Sequence, residues 1–280
     1  MTPLKPWEIP FVPVHASKQK RSRSCWTLSV NQADHILQVN ALTKCYAKSR
    51  EPAVADLDFT VEKGEIFGFL GPNGAGKTTT ISIMATLMKP TRGSVSICGI
   101  DIVKHPLRAR KLISLVPQEI ALYHELTGRE NLHFFGTMYG LKGAALEHKI
   151  AMGLEFFNLD SVADQPIAHC SGGIKRRFNI ACGILHDPVL VFLDEPTVGM
   201  DVHSRNVLLD QIQNLSARGS TILYTTHYME EAEKICSRVL IMDKGIHLAS
   251  GPPLELIQQS KSSRNLGDLF LTLTGKHLPN

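Results

Sequence analysis

The sequence predicts an α/β protein with a parallel sheet at its core and a helical subdomain inserted partway along the chain. Three observations lead there. Short apolar strands bounded by turns alternate with helical stretches, the pattern of βα units. The runs Ile66 to Leu70 and Val189 to Leu193 are almost wholly apolar, as strands covered on both faces are. Between about residues 119 and 168 the alternation gives way to helical stretches with few strand signals.

In chain order, strands are expected at Ile36 to Val39, Val54 to Val61 and Glu65 to Leu70, followed by a helix from Gly76 to Met88. A strand at Ser94 to Cys98 and a short apolar run at Leu112 to Val116 come next. Helices then cover Thr127 to Tyr139, Ala144 to Phe157 and Ser171 to His186. Strand Val189 to Leu193, helix Val202 to Ala217, strand Thr221 to Thr225, helix Met229 to Ile235 and strand Val239 to Met242 complete the pattern. This gives a main domain over residues 36–255 and a helical extension over 256–280. No internal repeat is visible.

A chain of 280 residues with 43% hydrophobic content can bury a sizeable core. No stretch reaches the roughly 18 to 20 apolar residues that cross a bilayer, so any membrane passage is expected from another chain. The formal charge of +4 is matched by the chain through Trp26 alone, which carries Lys5, Lys18, Lys20, Arg21 and Arg23 against Glu8. The rest is neutral and offers no basic excess for a nucleic-acid backbone, so no nucleic-acid partner is expected. Residues 1–35 also carry Pro3, Pro6, Pro10 and Pro13, and read as a disordered basic tail. Trp7 and Trp26 among those cations leave open a weak contact with a membrane surface. The 6 cysteines form no C-x-x-C pair or zinc spacing and are expected as reduced thiols.

The most informative segment is Gly71-Pro72-Asn73-Gly74-Ala75-Gly76-Lys77-Thr78. It fits G-x-x-x-x-G-K-[ST], with a strand leading in and a helix leading out. Glycines let the backbone wrap phosphate oxygens and aim N–H groups inward, and the helix N-terminus adds positive potential. Lys77 suits the β and γ phosphates, Thr78 suits Mg²⁺, and Thr79 suits an α phosphate. The segment resembles the phosphate loop of P-loop NTPases, which implies that fold for the chain.

Downstream, the apolar run from Val189 ends in Asp194-Glu195. A buried strand ending in acids delivers carboxylates to the sheet edge where ligands bind. Asp194 suits Mg²⁺, held through water, because that ion keeps several waters. Glu195 suits the polarisation of an attacking water.

Ser171-Gly172-Gly173 precedes a helix upstream of those acids, Gln118 follows one strand and His227 another. With Asn73, Tyr46 and the turn Gly199-Met200-Asp201, this ordered set resembles the ATP-binding-cassette family over residues 36 to 275. The resemblance implies a RecA-like parallel core with an N-terminal antiparallel β subdomain. It implies that Ser171, Gly172 and Gly173 meet the γ phosphate of ATP held by a second subunit, so that two copies sandwich two ATPs. Gln118 would sense Mg²⁺ and the attacking water. His227 would contact the γ phosphate and orient Glu195 or the water. Tyr46 would stack on adenine, and Asp201 would lie near the seam while also capping the helix at Val202. The signature departs from the usual Leu-Ser-Gly-Gly-Gln: Cys170 and Ile174 stand at its first and fifth places, which implies weaker nucleotide affinity or slower turnover.

Three further segments resemble the drug- and antibiotic-resistance exporter ATPases that serve ABC-2 permeases. They are Thr226 to Glu233, Leu122 to Tyr139 and Leu266 to Gly275. The resemblance implies a peripheral subunit on the cytoplasmic face of the inner membrane. It would act as a homodimer beneath a separate ABC-2 permease and export a drug, an antibiotic or a lipid-like molecule. The alternative is a cassette ATPase that works without a transporter.

Overall fold

A computed structural model describes residues 35–275 apart from Lys48, Arg50 and Lys261. The N-terminal tail, with Trp7 and Trp26, lies outside the described residues.

The chain opens with β1 (His35–Lys44) and β2 (Val54–Glu62), then β3 (Ile66–Leu70) and α1 (Lys77–Met84). Next come β4 (Arg92–Ile97), β5 (Ile100–Asp101), α2 (Pro106–Arg110) and β6 (Ile113–Val116). The helical insert carries α3 (Gly128–Met138) and α4 (Gly143–Phe156), with short turns at Asp160–Val162 and Ile167–His169. Then follow α5 (Gly172–Ile184), β7 (Leu190–Asp194), α6 (Val202–Ala217), β8 (Thr221–Thr226), α7 (Met229–Ile235), β9 (Arg238–Asp243), β10 (Ile246–Gly251), α8 (Pro253–Gln259) and α9 (Leu266–Thr274).

Two sheets result. Strands β2-β1-β4-β5 form an antiparallel sheet, and β10-β9-β3-β8-β7-β6 form the larger one. In the larger sheet β9, β3, β8, β7 and β6 run parallel, and β10 closes one edge antiparallel to β9. The parallel strands are buried on both faces, and their side chains sort by the two-residue period. Phe67, Phe69, Leu190, Phe192, Leu223, Leu240 and Met242 face α1 and the antiparallel sheet. Ile66, Leu70, Val191, Leu193, Ile222, Tyr224, Val239 and Ile241 face α5 to α9. No described helix is long and apolar enough to cross a membrane.

Local chemistry sets the ends. Thr127 and Glu130 close a reciprocal capping box at the start of α3. The helix expected from Gly76 to Met88 stops at Met84, because Thr86 takes a left-handed conformation at φ 62° and the chain then turns toward Pro90. All parallel strands end on one edge of the sheet, where β3, β6, β7 and β8 deliver the phosphate loop, Gln118, Glu195 and His227 respectively.

Candidate active site

The phosphate loop leaves β3 as a tight wrap. Gly76 adopts φ +105°, and a Cβ there would stand 2.4 Å from the Ala53 carbonyl oxygen. Only glycine fits that backbone and that approach. The loop is braced from outside, since Gly245 N–H donates to Ala75 O at 2.8 Å and Ala75 N–H to Pro72 O at 3.1 Å.

Lys77 opens α1 and is buried. Its Nζ donates to Gly71 O at 2.7 Å and Pro72 O at 3.2 Å, and lies 3.0 Å from Glu195 Oε1. The other carboxylate oxygen of Glu195 lies 3.0 Å from His227 Nδ1. Lys77, Glu195 and His227 therefore form one chain of charge and hydrogen bonding across β3, β7 and β8. Glu195 sits at φ +45°, a conformation that costs energy for a residue with a side chain. Its N–H is anchored by Thr225 Oγ1 at 2.9 Å.

Asp194 lies one residue back. Thr225 Oγ1 donates to Asp194 Oδ1 at 2.7 Å. Burial raises the Asp194 pKa, the neighbouring Glu195 charge adds to the rise, and the Thr78 hydroxyl lies near enough to the same carboxylate to lower it in part. A carboxylate beside a hydroxyl, both oxygen donors, suits Mg²⁺, which takes one or two carboxylates and fills its remaining positions with water and phosphate oxygens. The burial and like-charge strain on Asp194 is what a cation there would relieve.

Tyr46 stands beside the loop, with its hydroxyl 3.2 Å from Thr79 Oγ1 and its ring partly open to solvent. An exposed aromatic face next to the phosphate loop offers a surface on which a base can stack. Gln118 follows β6 with an exposed side chain. Its backbone is held by Arg176 of α5, whose guanidinium donates to Pro117 O at 2.9 Å and also to Gln118 O. Ser171 caps α5 by accepting from Ile174 N–H at 3.4 Å, and Gly172 is exposed. Gly173 is buried, and a Cβ there would press to 2.9 Å on Ser204 of α6. Among the described residues Ser171 makes no bond to Lys77, Asp194 or Glu195. The structure thus gathers Thr78, Lys77, Asp194, Glu195 and His227 into one cluster and leaves Ser171 and Gly172 facing outward. Asp201 caps α6 by accepting from Ser204 N–H at 2.9 Å, and that bond lowers its pKa.

Three residues in this region escaped the sequence analysis. Thr225 bridges both acids from inside β8, Arg176 clamps the Gln118 turn, and Glu231 lies buried behind His227. Glu231 had one local signal, as an acid in the first turn of a helix. Such acids usually serve the helix dipole from the surface.

Residues 54–198 match the family described as ABC transporter. This chain belongs to that family. It is 43% identical over 239 residues to the linearmycin resistance ATP-binding protein LnrL of Bacillus subtilis, covering 85% of this chain and 75% of the relative. It is 40% identical over 248 residues to the Nod factor export ATP-binding protein I of Sinorhizobium fredii, covering 88% and 72%. A solved ATP-binding subunit of an ABC transporter superposes with a TM-score of 0.76 at 33% identity, covering 85% of this chain and 99% of that one. The chain is therefore an ATP-binding ATPase with the P-loop α/β fold.

Proposed function

We propose that this ABC ATPase powers an ABC-2 type exporter, hydrolysing ATP in a head-to-tail homodimer beneath a separate membrane permease. The Lys77–Glu195–His227 chain carries the hydrolytic part of this reading. The two relatives named for resistance and for export support the rest, and suggest a drug, antibiotic or lipid-like cargo. The subunit would sit peripherally on the cytoplasmic face of the inner membrane.

In this reading the N–H groups of Asn73, Gly74, Gly76, Lys77 and Thr78 in the Gly71 to Thr78 loop, where Pro72 has none to give, and the Lys77 ammonium hold the β and γ phosphates, Thr79 the α phosphate, and Tyr46 the adenine. Thr78 and Gln118, with Asp194 through water, would hold Mg²⁺, which would supply charge neutralisation on the phosphate oxygens. Glu195 accepts the proton of a water whose oxygen bonds the γ phosphorus as the bond to the β–γ bridging oxygen breaks. The products are ADP and inorganic phosphate. His227 holds Glu195 in place through Oε2. The outward-facing Ser171 and Gly172, with Gly173 packed behind them on Ser204, would complete the site of the opposite copy, in keeping with the lack of contact between Ser171 and the cluster of its own chain.

The test is Glu195→Gln. It should keep ATP binding and slow hydrolysis by about 10²- to 10⁴-fold, the usual worth of a positioned general base. Size-exclusion with ATP should show a trapped dimer. A monomer under every condition would count against the shared site. Failure to co-purify with any membrane protein would count against export.

A further inference from the structure

Beside the cluster lies a third buried carboxylate. Glu231, on the first turn of α7, is 4% exposed. Its Oε2 accepts from Tyr224 Oη at 2.7 Å, Thr197 Oγ1 at 2.8 Å and Thr226 Oγ1 at 3.0 Å. Its Oε1 lies 3.5 Å from Arg205 Nε of α6. An ionised carboxylate is acceptor-only, and here Oε2 takes three hydroxyl donors while Oε1, which has no hydrogen-bond partner, faces only the Arg205 guanidinium.

The donors matter because of where they sit in the chain. Thr197 stands two residues after Glu195. Thr226 immediately precedes His227, and its Oγ1 also accepts from Tyr228 N–H at 2.9 Å, so the hydroxyl pins the backbone on both sides of the histidine. Arg205 reaches His227 by a second path. Its guanidinium lies 4.8 Å over the Tyr228 ring, and that ring is 4.2 Å from the imidazole. Arg205 also lies four residues beyond Asp201 and donates to Met200 O at 3.5 Å.

We propose that Glu231 is a positioning residue for ATP hydrolysis. Its carboxylate fixes the segments bearing Glu195 and His227 relative to each other and ties both, through Arg205, to the turn that ends at Asp201. The inference rests on the roles given to Glu195 and His227 above. Glu231 touches no reacting atom; it holds the two groups that do. The arrangement is costly to leave half made, since a buried carboxylate needs all its partners. A surface acid at the same helix position would have served the dipole without burial.

The experiment measures steady-state ATPase in the full chain, with kcat expressed per ATP-binding site so that unfolded protein does not count. Glu231→Gln must aim its amide N–H₂ either at the hydroxyls or at Arg205, and so breaks one side of the network. Thr226→Val removes one hydroxyl at nearly constant volume. In both, kcat should fall about 10- to 100-fold, the range found when partners that orient metal-ligating side chains are removed. KM for ATP should stay within about twofold, because binding is left intact. Thr226→Ser, which restores the hydroxyl, should recover most of the loss. An unchanged kcat in Glu231→Gln and Thr226→Val overturns the inference. So does a raised KM with kcat kept, or a Thr226→Ser variant as slow as the valine. Glu195→Gln, run alongside, separates the two levels. Undiminished hydrolysis there removes the roles on which Glu231 would act, whereas slow Glu195→Gln with normal Glu231 variants sinks the positioning role alone.

Discussion

Replacing Arg176 by methionine tests the link between the signature helix and Gln118. Arg176 is buried on α5, and burial lowers its pKa, yet it stays charged and spends that charge on the carbonyls of Pro117 and Gln118. Methionine keeps the apolar stem and loses both bonds. Hydrogen bonds to a charged group are worth about 1.5–3 kcal/mol each. The freed carbonyls lie in a partly exposed turn and regain water, and the desolvation of the guanidinium is relieved, so the net loss should be about 2–3 kcal/mol. For a domain of this size that is a fall in Tm of about 5–10 °C. Thermal unfolding by circular dichroism measures it. Steady-state ATPase in parallel should show lower kcat with ATP affinity kept, since the phosphate loop is untouched. Arg176→Lys, a single point charge without the planar fork, should fall between the two. A Tm within about 1 °C of the parent, well inside the shift expected for 1 kcal/mol, with normal kcat, would refute the clamp.

Asp194→Asn should raise stability by about 0.5–2 kcal/mol, as relief of a strained functional site does, while hydrolysis collapses. The sign follows from its raised pKa: the stabilising neutral form is complete below the ordinary value of 3.8 and is lost as pH rises through the raised folded value, so the charge is a burden at neutral pH. Calorimetry and ATPase assays check both halves. Gly76→Ala should cost about 2–4 kcal/mol and abolish ATP binding, because alanine resists φ +105° and its Cβ would meet Ala53 O; equilibrium binding and denaturant titration read this out. His186, whose Nε2 lies 3.1 Å from Ile113 O, has its pKa lowered by burial. Its contribution is complete above the ordinary value of 6.5 and is lost as pH falls through the lower folded value, so Tm should drop on acidification and do so less in His186→Gln.

The elements that bear the site were legible because each couples a local pattern to a local need. The run ending in Asp194 is apolar because it is covered on both faces, and the loop after β3 is glycine-rich because its backbone passes Ala53 at Gly76 too closely for a side chain. Where tertiary structure decides, the sequence was mute. Strand β1 runs to Lys44, well past Val39, but Ala41 at φ 45° sits in an irregularity between Val39 and Leu42 that breaks the alternation. Strand β10 escaped notice because His247, Leu248 and Ala249 are only half-buried at a sheet edge and show no period-2 contrast. Thr225 and Arg176 gain their meaning from partners 31 and 59 residues away, Asp194 and Pro117, and Glu231 adds to its local partners Tyr224 and Thr226 a third, Thr197, 34 residues away. No window of a few residues contains such a pair.

The strand ends at the site are level. Thr225 of β8 pairs with Phe69 on one side and Asp194 on the other. Neighbouring strands lie about 4.8 Å apart whatever their side chains. The spacing between the loop that carries Lys77 and the strand ends that carry Glu195 and His227 is thus a ruler graduated in peptide units. A slip of one residue between β7 and β8 would move Glu195 by about 3.3 Å and turn it to the other face. Side chains elsewhere carry no such graduation. A chain can therefore share only 33% of its residues with a solved relative and still keep the same ruler.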